Sequence, residues 1–184
     1  MRVIAGVARR INLTAPEGLS TRPTADRAKE SLFNILGTKV KNARFLDIFC
    51  GSGAIGIEAL SRGAKEAVFV DAEQPAIKAL RENLAKTKLE SMAEILQMHA
   101  EKALEKLMAQ KRCFDVIFMD PPYDSPLLSK ILKVILSSNL TAPDAVVIAE
   151  TRRQNDFFPQ ETVIKTEARI YGLTKFIIIR NEGC

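Results

Sequence analysis

The chain has 184 residues, of which 47% are apolar and 27% charged, so it can bury the core of one domain and is not disordered by composition. Its formal charge is +5, and the whole excess lies in residues 1–44, which carry nine Lys or Arg against three Asp or Glu. No apolar run approaches the roughly 20 residues of a membrane span, and three cysteines without CxxC spacing argue for a reducing cytoplasm and against a disulfide framework.

The first quarter of the chain predicts β-prone segments and one helix. Residues 1–5 are β-prone, and residues 16–18 have the composition of a turn. A helix is predicted over residues 24–36, because its apolar residues share one face and Gly37 ends the pattern.

From residue 43 onward, apolar runs alternate with amphipathic helical patterns. Strands are predicted at residues 45–49, 67–70, 94–98, 114–119 and 145–149. Helices are predicted at residues 54–62, from Pro75 onward, and at residues 101–110 and 126–138. Alternation with short connections indicates an α/β fold with a mostly parallel, doubly wound sheet.

The end of the chain breaks this alternation. Two β-like runs, residues 162–170 and 174–180, have only a short turn at Tyr171 and Gly172 between them. Strands so close in sequence pair antiparallel, so we expect the sheet to end in an antiparallel hairpin.

A glycine-rich segment follows the first strand of the alternating part. Residues 47–56 contain GxGxxG between a predicted strand and a predicted helix. Glycine permits a tight turn and a close approach of a ligand to the main chain. Asp71 lies at the tip of the next strand, where a carboxylate can bind the hydroxyls of a ribose. The segment therefore predicts a nucleotide-type cofactor site.

Asp47 distinguishes between two cofactor classes. A dinucleotide pyrophosphate on the helix N-terminus disfavours an anion beside it. Asp47 lies inside the apolar strand just before the glycines, and a buried carboxylate is costly unless it is paired. It suits a cationic group such as the ammonium of a methionine moiety, so the pattern favours S-adenosylmethionine. With one histidine and scattered cysteines, no metal site is expected.

A second motif, Asp-Pro-Pro-Tyr, follows the strand at residues 114–119. Its residues, Asp120 to Tyr123, lie at the carboxyl end of that strand, where an open α/β sheet binds its ligand. An Asp carboxylate and a prolyl carbonyl can accept both protons of an exocyclic amine, and Tyr123 offers a ring on which a flipped base can stack. The motif predicts methyl transfer to the amine of a nucleobase.

The Asp-Pro-Pro-Tyr sequence resembles motif IV of methyltransferases that modify adenine N6, cytosine N4 or guanine N2. Together with residues 21–36, 47–56 and 57–64, it is similar to the bacterial 16S ribosomal RNA guanine-N2 methyltransferase family, which modifies guanine 966 of the small subunit. The resemblance covers nearly the whole chain. It implies a Rossmann-like class I methyltransferase core at residues 41–184, preceded by a basic β-hairpin and helix at residues 1–40.

The resemblance also implies roles for individual residues. Asp120, Pro121, Pro122 and Tyr123 would orient the guanine amine. The residues expected to bind S-adenosylmethionine are Thr24, Asp47, Phe49, Gly51, Ser52, Gly53, Asp71, Ala72, His99, Ala100 and Asp120. His99 departs from the Asp or Asn common at its position, so it either accepts a bond from the adenine amine or is an exposed loop residue.

Six basic residues are expected to contact RNA phosphates. They are Arg2, Arg9, Arg10, Arg22, Arg27 and Lys29. The expected partner is 16S ribosomal RNA within a small-subunit particle, and the protein is expected to be a cytoplasmic monomer without membrane contact. The alternatives are a related enzyme acting on adenine N6 of RNA or DNA, and a nucleic-acid-binding module with an inactive cofactor site.

Overall fold

A computed structural model of the protein describes residues 1–16, 24–122, 126–155 and 165–180. The α-helices of these residues are α1 (Thr24–Leu36), α2 (Ala54–Ser61), α3 (Gln74–Thr87), α4 (Ala100–Ala109) and α5 (Leu127–Leu136). The strands are β1 (Arg44–Ile48), β2 (Glu66–Asp71), β3 (Ala93–Gln97), β4 (Phe114–Met119), β5 (Thr141–Arg152), β6 (Lys165–Tyr171) and β7 (Thr174–Arg180). None of these helices is long and apolar enough to cross a membrane.

The strands form one sheet in the order β3-β2-β1-β4-β5-β7-β6. Strands β1 to β5 pair in parallel, and β7 pairs antiparallel with both β5 and β6. The predicted parallel sheet with a terminal antiparallel hairpin is confirmed. The strand order reverses between β1 and β4, and open α/β sheets bind ligands beside the carboxyl ends of strands at such a reversal.

Two apolar layers cover the two faces of the sheet. Helices α1, α2 and α3 pack on one face, and helices α4 and α5 pack on the other. The central strands β1 and β4 are covered on both sides, which explains why each is a nearly continuous apolar run. The one buried carboxylate of β1, Asp47, is therefore conspicuous.

Residues 1–13 fold back on themselves and are called the N-terminal hairpin below. A single ladder bridge, Arg2 with Asn12, joins its arms, so the strand predicted at residues 1–5 is reduced to that bridge. Its buried apolar residues are Val3, Ala8 and Leu13. They lie in the layer that α1 and α2 form with the sheet. The predicted parts 1–40 and 41–184 thus share one core, and their division into two units remains a prediction.

Strand β5 is longer than predicted. It begins at Thr141, passes an irregularity in its pairing with β4, and has a φ of 60° at Asp144. The Pro and Asp of this stretch are typical of turns, so the sequence placed the start of the strand at residue 145. At the hairpin, residues 165–170 form a strand as predicted, and Tyr171, predicted in the turn, belongs to that strand. The predicted residues 162–164 lie outside the described residues.

Candidate active site at the carboxyl edge of the sheet

A tight turn connects β1 to α2. The N–H of Gly53 donates to the carbonyl of Cys50 at 2.8 Å, and Gly51 and Gly53 have φ values of 54° and 76°. Phe49 also has a positive φ, 62°, which is unusual for a bulky side chain. Non-glycine residues in this conformation often lie at functional sites, so Phe49 supports the prediction that the turn binds a ligand.

The three glycines of the turn have different surroundings. A Cβ at Gly53 would lie 2.2 Å from Leu80 Cδ1, and a Cβ at Gly56 would lie 2.3 Å from Phe69 Cε1. These two glycines allow α2 to pack closely against α3 and β2. A Cβ at Gly51 would meet nothing within 4 Å, so this glycine faces open space in which a ligand can approach the main chain.

Asp47 lies directly under this turn and is 1% exposed. Its Oδ2 accepts a hydrogen bond from the N–H of Gly56 at 2.8 Å. Burial raises the pKa of Asp47 to about 7, the Gly56 N–H opposes this, and the nearby charge of Asp71 raises the pKa further. Among the residues that the structure describes, Gly56 supplies the one hydrogen bond to this carboxylate, which therefore retains capacity for further donors or a cation.

Asp71 ends β2 beside the same turn. Its Oδ2 accepts from the N–H of Gly51 at 2.8 Å, and its Oδ1 accepts from the N–H of Glu73 at 2.9 Å. These bonds hold the carboxylate in place, and each oxygen keeps a second lone pair for a hydroxyl donor. The Asp71 carbonyl also accepts from the N–H of Met98 at 3.0 Å, which brings the loop after β3 to this edge.

The remaining residues of the predicted cofactor site lie around this edge. His99 is exposed at the start of α4, and Ala100 behind it is buried. Ser52 is buried in the glycine turn, and Ala72 is partly buried after β2. Thr24 begins α1, but the position of its side chain lies outside what is described.

Asp120 follows β4 and lies beside β1, the strand that carries Asp47. Its N–H donates to the carbonyl of Ile48 at 3.3 Å. Burial raises the pKa of Asp120 well above its ordinary value, and the charges of Glu150 and Asp47 raise it further. Pro121 is buried and Pro122 exposed. Tyr123, the predicted stacking residue, lies outside the described residues.

Glu150 on β5 is a candidate site residue that sequence reasoning missed. Met119 and Ala149 are register partners, so the residues that follow them, Asp120 and Glu150, are neighbours on adjacent strands. The hydroxyl of Thr174 donates to Glu150 Oε1 at 3.3 Å. Burial raises the pKa of Glu150 to about 7, and the Thr174 hydrogen bond opposes this. An acidic residue directly after an apolar strand was the available signal.

Four acidic residues thus end or lie in four consecutive strands on one face of the sheet, and we call them the carboxylate row. In spatial order they are Asp71 (β2), Asp47 (β1), Asp120 (β4) and Glu150 (β5). Asp47 and Asp120 have raised pKa values partly because of their neighbours in the row. Like charges this close favour a cationic ligand and hydrogen-bond donors.

The predicted RNA-contact residues divide into three groups: exposed arginines, Arg22, and the buried Lys29. Arg2, Arg9, Arg10 and Arg27 are exposed on the N-terminal hairpin and α1. Arg22 lies outside the described residues. The exposed arginines remain candidates for phosphate contacts.

The prediction that Lys29 contacts RNA is wrong. Lys29 is 2% exposed, and its Nζ lies 3.2 Å from Glu58 Oε2 and donates to the carbonyl of Arg2 at 2.6 Å. Burial lowers the pKa of Lys29, against the opposing effect of Glu58. The side chain ties the N-terminal hairpin and α1 to α2, where a phosphate cannot reach it.

The protein is a Rossmann-like methyltransferase of class I. This class is defined by the order of the strands, the glycine turn after β1 and the Asp-Pro-Pro segment after β4. The chain belongs to the family described as Conserved hypothetical protein 95, whose model matches residues 1–180.

Named relatives and a solved structure agree with this class. "Putative rRNA methyltransferase YlbH" of Bacillus subtilis is 39% identical over 100% of both chains. "Ribosomal RNA small subunit methyltransferase D" of Haemophilus influenzae is 32% identical over 98% of this chain and 94% of its own. The structure titled "Putative methyltransferase yhhF" of Escherichia coli superposes with a TM-score of 0.85, at 30% identity, over 100% of this chain and 99% of that chain.

Proposed function

We propose that the protein transfers the methyl group of S-adenosylmethionine to the exocyclic N2 amine of a guanine in 16S ribosomal RNA, guanine 966 by resemblance. The observation that carries the proposal is the position of Asp120 and the two prolines. They end β4 directly beside the strand that carries Asp47, so a cofactor site and an amine site adjoin at one sheet edge. The named small-subunit methyltransferase relatives support the RNA substrate.

The cofactor end of the site fits S-adenosylmethionine. The open space at Gly51 admits the methionine moiety, and the buried Asp47 carboxylate offers its free acceptor capacity to the ammonium group. Asp71 accepts from the ribose hydroxyls, as its position and remaining lone pairs allow. The adenine contacts His99 and Ala100, a role supported by the hydrogen bond between Met98 N–H and the Asp71 carbonyl, which brings the loop after β3 to this edge. When bound, the cofactor supplies a methyl group already activated on a sulfonium.

The substrate end of the site orients an amine. The lone pair of an exocyclic amine is delocalised into the base, so the nitrogen is a poor nucleophile. Asp120 and the carbonyl of Pro121 accept its two protons and favour a tetrahedral nitrogen whose lone pair faces the methyl group. The raised pKa of Asp120 also suits it to take one proton once the new N–C bond has formed.

The exposed arginines of the N-terminal hairpin and α1 bind phosphates of the RNA. Their positive charge attracts the phosphates, which the carboxylate row repels. This contribution to RNA binding is independent of sequence and depends on salt. The protein acts as a monomer on a small-subunit particle, in the cytoplasm where such particles are assembled.

The test uses Asp120→Ala with small ribosomal subunits from cells that lack this modification. Transfer of labelled methyl groups should fall at least about 100-fold, while calorimetry shows S-adenosylmethionine binding within a few-fold of the wild-type value. Asp144→Gly is the matched control, because it removes an exposed carboxylate at a φ that suits glycine. Mass spectrometry of digested RNA identifies the methylated base.

Three results would contradict the proposal. Retained turnover in Asp120→Ala would remove the assigned role of this residue. Methyl groups on adenine N6 would indicate the related amine chemistry instead. A wild-type protein that binds RNA but gives no heat with S-adenosylmethionine would be a binding module.

A further inference from the structure

Glu150 is a partly buried acidic group that the proposed reaction does not use. Phe118 and Ile148 are register partners, and both lie in the apolar layer that α1, α2 and α3 cover. Side chains alternate along a strand, so the residues two positions further, Asp120 and Glu150, project from the same face. The substrate edge therefore holds two carboxylates on adjacent strands.

The other neighbour of Glu150 is an apolar wall on β7. Phe176 is the register partner of Glu150 and is buried, and the Tyr171 ring lies 6.0 Å from the Phe176 ring between centroids. Thr174 fixes Glu150 Oε1 through its hydroxyl at 3.3 Å. This apolar wall shields one side of the partly buried Glu150 from water, and hydrogen bonds are stronger where water is excluded.

The Watson–Crick edge of guanine matches two neighbouring acceptors. Guanine presents the N1–H donor directly beside the N2 amine, whereas adenine and 2-aminopurine have an unprotonated N1 with a lone pair beside the amine. A carboxylate beside Asp120 therefore attracts guanine and repels a base whose N1 is an acceptor. Enzymes that take a base out of its stack read it through this edge.

We propose that Glu150 determines the base specificity of the site by accepting the N1–H of the target guanine while Asp120 holds the N2 amine. This inference rests on the proposed function and adds to it a residue that distinguishes guanine from other amine-bearing bases. The paired carboxylates then each receive a donor, which relieves their mutual repulsion when the base enters.

The experiment compares two substrates that share the reactive amine. Small subunits are reconstituted with 16S RNA carrying either guanine or 2-aminopurine at the target nucleotide, and kcat/KM is measured for each. The wild-type protein should prefer guanine by roughly 10- to 100-fold. Glu150→Gln should lower kcat/KM for guanine and reduce the preference about 10-fold or more, because its amide can donate to the N1 of 2-aminopurine.

Two further variants keep the test sharp. Thr174→Val removes the hydroxyl that orients Glu150 and should reduce the preference in the same direction but less. Glu167→Gln makes the same chemical change on β6, where Glu167 pairs with Arg169 and Arg180, and should leave the preference unchanged. Calorimetry with S-adenosylmethionine should give an affinity within a few-fold of the wild-type value for all three variants, since none of them changes Asp47 or Asp71.

Three outcomes overturn the inference, at two different levels. If Glu150→Gln keeps the wild-type preference for guanine, or loses kcat/KM equally on both bases, only the role of Glu150 is refuted, since guanine methylation would continue. No transfer to guanine N2 by the wild-type protein would refute the proposed function and this inference with it.

Discussion

The buried pair of Lys29 and Glu58 makes a quantitative prediction about stability. Their side chains are 1% and 0% exposed, and Glu58 also accepts from Arg62 Nε at 2.7 Å and from the N–H groups of Ile4 and Ala5 at 2.8 and 3.0 Å. The two single substitutions therefore leave different groups unpaired. We consider Lys29→Met, Glu58→Gln and the double variant.

The magnitudes follow from what each change leaves behind. Glu58→Gln leaves the Lys29 ammonium buried without its counter-charge, which costs about 3–5 kcal/mol of unfolding free energy. Lys29→Met leaves Glu58 with the Arg62 guanidinium and two N–H donors, so we expect a smaller loss of about 1–3 kcal/mol. The double variant removes both charges and should lose at least about 1 kcal/mol less than the sum of the two.

Urea denaturation of the three variants at pH 7 measures these values. Arg9→Met serves as the comparison, because Arg9 is exposed. The unfolding free energy of this variant should be unchanged, and the slope of its RNA affinity against salt concentration should fall by about 1. A Lys29→Met variant that is as stable as the wild type, within about 0.5 kcal/mol, and has a reduced salt slope of RNA binding would refute the structural role of Lys29. Additive losses in the double variant would show that the two side chains do not interact.

Two further predictions concern the cofactor end. Gly51→Ala should weaken S-adenosylmethionine binding, measured by calorimetry, with a loss of only about 1 kcal/mol in unfolding free energy. Gly56→Ala, whose Cβ would meet Phe69, should mainly lower the midpoint of thermal unfolding. The reverse result would contradict the assignment of Gly51 to the cofactor site and of Gly56 to packing. Because the folded pKa of Asp47 lies near 7, above its unfolded value of 3.8, its burial opposes folding increasingly as pH rises through that window. Asp47→Asn should therefore raise the unfolding free energy at pH 8 by on the order of 2 kcal/mol. The affinity of the wild-type protein for the cationic cofactor should fall as the pH drops below about 7, because Asp47 becomes protonated. A pH-independent affinity would contradict the role of Asp47.

The features that the sequence predicts correctly are local ones. The glycine turn is recognisable because its glycines lie between an apolar strand and a helix within a stretch of ten residues. Asp120 and its prolines are recognisable because they directly follow another apolar strand. Both need only the general rule that ligands bind at the carboxyl ends of parallel strands.

The features that the sequence does not predict depend on distant pairings. Glu150 becomes a site residue only through the register of β5 with β4, which also carries an irregularity near Asp144. In sequence Lys29 does not differ from the arginines around it, and only the packing of α1 on α2 brings it to Glu58. Glu58 itself lies within an apolar helix, and a charge in such a helix was a sign of a buried partner.

The carboxylate row has a consequence for turnover. In the proposed reaction, methyl transfer converts the sulfonium cation into a neutral thioether, whereas the ammonium group beside Asp47 keeps its charge. The acidic edge therefore holds the ammonium end of the cofactor before and after transfer, and only the sulfonium end loses a favourable charge interaction with the carboxylate row.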